Sequence, residues 1–312
     1  MTEHYVTLFD SGYLLQGLAL HRSLQRHAAP FHLWVVCMDD EAWRMLEAFK
    51  LPALTPLRLA DLETPELLAV KPSRSRGEYC WTVTPFTPRF VFEADPSVAR
   101  VTYVDADFWF RRSPAGVLRE FEASGKHVLI TDHAYAPEHD QSAIAGQYCV
   151  QFMTFDRDSS EPVRKWWEER CVEWCFARYE EGRFGDQKYL DRWLELFPGL
   201  VHVLADKSAF LAPWNASWIP YGSSVAFHFH GLRIFDGYKV FKRPGTYKVP
   251  RAVDEQIYEP YLADLAEGTR LLASHGFAPR LPAVPYAKMF VGWLERLAGE
   301  FLAKLSLFKA LR

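Results

Sequence analysis

An α/β fold, a mostly parallel sheet with helices on both faces, is predicted by three observations. Strand and helix patterns alternate from the first residues, the apolar runs are short and strand-like, and one of them, VTYVDADFWF, runs into two carboxylates. With 312 residues, 49% of them hydrophobic and 15% aromatic, the chain can bury a large core.

The elements follow in order. HYVTLF reads as a strand, and GYLLQGLALHRSLQRH as a helix with apolar residues at helical spacing and basic residues in its last turn. FHLWVVC is a second strand and DDEAWRMLEAFK a second helix with acidic residues at its start. Further on, TPRFVFEAD reads as helix, VTYV as strand, SPAGVLREFEASG as a capped helix and HVLITD as strand. DHAYAPEHDQSAIAGQ is polar and aperiodic, and is expected to be a substantial loop beside the site, or a plain surface excursion. YCVQFMTF alternates as a strand, EPVRKWWEERCVEWCFARYEEG is expected to be one long helix, and RFGDQKYLDRWLELF starts another after Gly185. SVAFHFHGLR alternates again and puts His228 and His230 on one strand face. Residues 1–250 are thus expected to form one α/β domain and 251–312 a C-terminal helical extension.

The net charge of −3 gives no general attraction to nucleic acid, so none is expected as a partner. No apolar run reaches the roughly 20 residues of a membrane-spanning helix, and MTEHYVTLFD lacks the basic start and apolar centre of a secretory leader; a cytoplasmic location is expected. The five cysteines include no C-x-x-C pair and are expected to be reduced. Cys171 and Cys175 read as two thiols packed on one helix face.

Alternation along VTYVDADFWF places Asp105 and Asp107 on one face where a buried strand runs out. Carboxylates so close repel each other unless a cation lies between them. In open α/β sheets, ligands bind at the carboxyl ends of the strands, where Asp10 and Tyr13 are also expected. Asp186 with Gln187, His228 with His230, and Arg233 are the other candidates for that edge. Carboxylates with one imidazole suit Mn²⁺ or Mg²⁺, and Arg233 is placed to clamp the phosphates that such an ion neutralises.

D-x-D with the later GDQKYLD imitates the haloacid dehalogenase phosphatases, so a metal-dependent phosphohydrolase is one alternative. That likeness frays: Trp109 stands where a Thr or Val is expected, the pair lies a third of the way along the chain, Gly185 and Asp186 follow a polar stretch, and the His228 segment has no role.

FDSGYLLQGLALHRSL, PFTPRFVFEADPSVARVTYVDADFWF, YCVQFMTF, GDQKYLD and HFHGLR together resemble, in order and spacing, the GT-A glycosyltransferases, and most closely glycosyltransferase family 8. The resemblance spans roughly Tyr5 to Tyr238. It implies a GT-A fold, a nucleotide-sugar donor that is most often a UDP-sugar, and transfer with retention of configuration. Asp105, Asp107 and His228 would be the metal ligands, and Asp186 with Gln187 would hold the transferred sugar at the reacting carbon. The implied donor-binding set is Phe9, Asp10, Tyr13, Arg89, Asp105, Ala106, Asp107, Cys149, Gln151, His230, Gly231 and Arg233, with Tyr13 against the base and Arg89 as the basic residue ahead of D-x-D.

Three positions depart from the family pattern. Cys149-Val150-Gln151 replaces N-x-G, Ile234 and Phe235 follow Arg233 where a lysine is expected, and His230 is an extra imidazole that competes with His228 as ligand; the H-F-x-G register favours His228. The altered N-x-G position also leaves open a non-catalytic nucleotide-sugar-binding protein. The tail YAKMFVGWLERLAGEFLAKLSLFKALR has Met289, Phe290, Trp293, Leu294, Leu297, Phe301, Leu305 and Phe308 at helical spacing with Lys288, Arg296, Lys304, Lys309 and Arg312 accompanying them. It reads as a basic amphipathic helix for an anionic membrane, on the inner face of the cytoplasmic membrane, or for packing on the domain or a second subunit. The expected acceptor is a glycan or a lipid-linked saccharide.

Overall fold

The computed structural model describes residues 2–243 and 245–284; the amphipathic tail helix expected at the C-terminus lies outside them. Two compact units are present, one of residues 1–232 and 242–280, the other including 233–241.

The first unit is built on strands β1 (Glu3–Phe9), β2 (Phe31–Cys37), β3 (Leu54–Arg58), β4 (Arg100–Val104), β5 (Phe108–Phe110), β6 (Val128–Asp132), β7 (Tyr148–Asp156), β8 (Val201–Val203), β9 (Phe210–Leu211) and β10 (Ala226–His228). Its helices are α1 (Leu14–His27), α2 (Asp40–Phe49), α3 (Pro65–Val70), α4 (Arg76–Val83), α5 (Thr87–Ala94), α6 (Ala115–Ser124), α7 (Ser142–Ala145), α8 (Glu161–Glu173), α9 (Trp193–Leu196), α10 (Arg251–Val253) and α11 (Glu259–Ser274). In the second unit β11 (Arg233–Phe235) and β12 (Lys239–Phe241) form an antiparallel hairpin.

The main sheet runs β3-β2-β1-β4-β7-β6-β8. All neighbours are parallel except at β7, which runs against both β4 and β6. The near-unbroken burial of β1, β2 and β7 explains their continuous apolar character, because helices cover both faces. A second small sheet, β5-β10-β9, branches off just after β4.

Local chemistry sets the helix ends. Asp39 caps α2 by accepting from Ala42 N at 2.8 Å, and Ser75 with Glu78 forms a reciprocal capping box that starts α4 at Arg76. Gly125 ends α6 in the left-handed conformation that its lack of a Cβ permits. Gly17 on α1 lies so close to Phe9 that a Cβ would overlap the ring, so this helix can sit down on β1 only with glycine here.

Two expected helices are shorter than their patterns. Helix α8 stops at Glu173, and Trp174 is extended; its carbonyl accepts from Tyr189 Oη at 2.8 Å and its ring is covered by Phe176, Arg178 and Arg183. Tertiary contacts of the aromatic side chains thus override the helical periodicity. Cys175 therefore lies beyond the helix that carries Cys171, though both are buried, and all five cysteines are free. The segment after Gly185 forms a tight turn of 3₁₀ helix over Lys188–Arg192 followed by α9.

Helix α11 packs on α1 through Asp264, which accepts from Arg22, Arg26 and, at 2.7 Å, from Trp109 Nε1 on β5. No helix among the described residues is long and apolar enough to cross a membrane.

Candidate metal and nucleotide-sugar site

The carboxyl ends of β2, β1 and β4 lie side by side in the sheet; the chain leaves β1 at Asp10 and β4 at Asp105, and Asp39 follows the end of β2 after Met38. Because β7 is antiparallel to β4, its N-terminal residues lie at this same edge; Val104 is opposite Phe152, and Asp105 N donates to Gln151 O at 3.2 Å. Strand β10 pairs antiparallel with β5, placing His228 opposite Phe108, and Phe229 N donates to Asp107 O at 2.9 Å. The reversed strand and the branch sheet thus bring residues distant in sequence onto the D-x-D turn.

One possible ligand atom each from Asp105, Asp107 and His228 lies within 4.8 Å of the others. His228 Nε2 is 3.2 Å from Asp107 Oδ1 and 3.5 Å from Asp105 Oδ2, and its Nδ1 is 3.1 Å from Gln151 Oε1. Tyr103 Oη donates to Asp105 Oδ1 at 2.8 Å. Two carboxylates and an imidazole nitrogen converging on one point fit a hard-to-borderline divalent cation such as Mn²⁺ or Mg²⁺.

Electrostatics mark the same place. Burial pushes the Asp105 carboxyl up; His228 opposes this while Asp107 adds to it. Burial disfavours the His228 imidazolium, but Asp107, with Cys149 and Asp105 adding to it, outweighs burial and holds the ring's pKa well above its ordinary value. Asp186 is buried at the start of the tight turn after Gly185, with Trp167 Nε1 donating to its carbonyl at 2.8 Å; burial and the field of Asp105 raise its carboxyl well above the usual range. Gln187 follows it, half-buried.

Cys149 and Gln151, on one face of β7, are both buried. Burial pushes the Cys149 thiol up, yet the His133 and His228 imidazoles outweigh it and bring it down to about 7. The His133 ring stacks on Tyr135 at 4.5 Å, and Trp214 stands edge-on to His133, His228 and His230 at 5.3–5.4 Å between centroids. Trp214 Nε1 donates to His133 O at 2.9 Å and Lys188 Nζ to Ser142 O at 2.8 Å, tying both halves of the 133–147 loop down. His230 is exposed, beyond the end of β10, and lies outside the three-ligand group.

Phe9 is buried at the end of β1, and Asp10 Oδ1 accepts from Gly12 N at 2.8 Å. Asp10 also pairs with Arg76 at 2.5 Å, and Arg76 reaches Asp39 at 2.8 Å. Tyr13 is half-buried at the start of α1, and Ala106 is buried within the D-x-D turn. Arg89 engages Glu168 of α8 at 3.5 Å and lies over Phe86. Gly231 follows His230 with a positive φ of 77°, and Arg233 begins β11 in the second unit. Sequence reasoning missed Arg76, His133 and Trp214. Arg76 had a readable signal, since Ser75 and Glu78 around it form the capping box that aims α4 at this edge.

This sheet order, with its reversed strand and D-x-D turn, is the GT-A fold of nucleotide-sugar glycosyltransferases. Mouse xyloside xylosyltransferase 1 superposes on it with a TM-score of 0.51 at 14% identity, covering 74% of this chain and 98% of that one. The galactosyltransferase LgtC, solved with donor and acceptor sugar analogs, gives 0.51 at 13% identity over 85% of this chain and 95% of that one. No protein-family model matches the sequence. The chain belongs to the same family as the uncharacterized protein YfnF of Bacillus subtilis (strain 168), with which it is 30% identical over 301 residues, covering 90% of this chain and 99% of that protein.

Proposed function

We propose that this protein is a metal-dependent glycosyltransferase that moves a sugar, with retention, from a nucleotide-diphosphate sugar, a UDP-sugar in the first instance, to a glycan or lipid-linked saccharide in the cytoplasm. The observation that carries the reading is the convergence of Asp105, Asp107 and His228 at the carboxyl edge of a GT-A sheet. Asp105, Asp107 and His228 would hold a divalent cation, which would supply charge neutralisation to a departing diphosphate. Asp10 and Tyr13, at the end of β1, are assigned to the nucleoside. Asp186 and Gln187 are assigned to the transferred sugar; burial works against ionisation of the Asp186 carboxyl. Cys149, where the family pattern has an amide, gives the sugar a different neighbour.

The test is a panel of nucleotides and nucleotide sugars with and without Mn²⁺, read by thermal shift and nucleoside diphosphate release, on wild type and Asp107→Ala. Metal-dependent stabilisation and slow donor hydrolysis, both lost in the variant, are expected. Cleavage of phosphomonoesters without any nucleotide shift would overturn the reading, and binding without turnover would reduce it to a nucleotide-sugar-binding protein.

A further inference from the structure

His228 can serve a cation through only one of its ring nitrogens, and which one depends on where the other is held. Nε2 is the nitrogen that faces Asp105 and Asp107. Nδ1 points the opposite way, at the side-chain oxygen of Gln151, 3.1 Å distant. A Gln carbonyl oxygen has lone pairs and no proton, so the contact is a hydrogen bond only if Nδ1 carries the hydrogen. An imidazole with hydrogen on Nδ1 leaves the Nε2 lone pair free toward the two carboxylates.

We infer that Gln151 is a positioning residue for the metal centre: it fixes the ring orientation and tautomer of His228 and thereby presents Nε2 as the third ligand. Two observations support this. Gln151 is 1% exposed, so no water competes for its oxygen. Its own backbone carbonyl accepts from Asp105 N at 3.2 Å, so one residue braces both the histidine and the first carboxylate. Metal-bound histidines generally donate their second N–H to such an acceptor, and losing it typically weakens metal affinity about 10- to 100-fold.

The inference rests on the metal reading above, and the experiment separates the two. Mn²⁺ binding is measured by titration calorimetry on wild type, Gln151→Leu, Gln151→Glu and His228→Ala, with circular dichroism to confirm folding. Gln151→Leu is expected to weaken binding about 10- to 100-fold. Gln151→Glu, which keeps an accepting oxygen, is expected to bind as wild type does, a rescue that a merely space-filling role would not give. In ¹⁵N-histidine wild type loaded with diamagnetic Mg²⁺, nitrogen shifts should show His228 protonated on Nδ1 alone. Wild-type affinity in Gln151→Leu, or a proton on Nε2 in the loaded wild type, would overturn the role of Gln151 while leaving the metal site standing. No Mn²⁺ uptake by wild type would overturn the metal reading and this inference with it. Should Gln151→Leu not fold, the tautomer measurement on wild type decides alone.

Discussion

His228 Nε2 lies 3.2 Å from Asp107 Oδ1, an imidazole and a carboxylate brought together by the pairing of β10 with β5. Among the neighbouring groups, Asp107 contributes most to offsetting the burial of the His228 charge. Asp107→Asn keeps the shape and removes the charge. It is expected to abolish Mn²⁺-dependent stabilisation by UDP and to cut donor hydrolysis at least about 100-fold, while moving the metal-free melting temperature by only a few degrees. Thermal shift with and without Mn²⁺ checks it; a variant that still responds to metal would remove Asp107 from the ligand set.

Asp264 ties α11 to the strand that follows D-x-D. Its carboxylate, 8% exposed, accepts from Trp109 Nε1 and from two half-exposed arginines, Arg22 and Arg26. Asp264→Ala leaves a buried indole N–H without an acceptor, and a cost of about 2–3 kcal/mol is expected once the arginine pairs are discounted for solvent screening. Asp264→Asn, which keeps an acceptor for Trp109, should fall between wild type and alanine. Urea unfolding midpoints measure both; equal losses would show that the arginine pairs, and not Trp109, carry the effect.

Much of this arrangement was legible in the residues. The opening strand-helix alternation, Asp105 and Asp107 at a strand end, and the helical pattern after Pro250 are local signals, and α/β elements with buried faces write them plainly. What was hidden depends on tertiary contacts. The reversed direction of β7, which sets Gln151 beside Asp105, leaves no trace in a strand's own composition. Trp174 sits in helical register and yet turns away from α8, because its ring finds Phe176, Arg178 and Arg183. Arg89 reads as the basic residue ahead of D-x-D, while its guanidinium lies against Glu168 and Arg76 is the one beside Asp10.

Glu168 makes stability depend on pH. Burial raises its carboxyl to about 7, with Arg89 and Arg164 only partly offsetting this. The folded value lies above the unfolded one, so the fold prefers the protonated group; this contribution is fully present below the unfolded pKa and is lost as pH rises through about 7. Wild type should lose on the order of 3 kcal/mol from this group between about pH 4 and pH 8, and Glu168→Gln should remove that slope. Denaturant midpoints of both proteins across the range give the comparison, and parallel curves would show that Glu168 stays ionised in the fold.

Gly17 offers a case where helix propensity and packing point in opposite directions. Replacing a mid-helix glycine with alanine ordinarily stabilises by about 1 kcal/mol. Here a Cβ would overlap the Phe9 ring, itself 3% exposed at the end of β1. Overpacking of this kind costs about 1–3 kcal/mol, so Gly17→Ala is expected to be net destabilising by about 1–2 kcal/mol. Phe9→Leu in the same chain should relieve the overlap, so the double variant should be more stable than the sum of the single changes predicts. Because Asp10 follows Phe9 directly, Gly17→Ala should also weaken UDP binding, and the Phe9→Leu background should restore part of it. Additive stabilities in the cycle would mean that α1 shifts as a body and that its close approach to β1 does not set the position of Asp10.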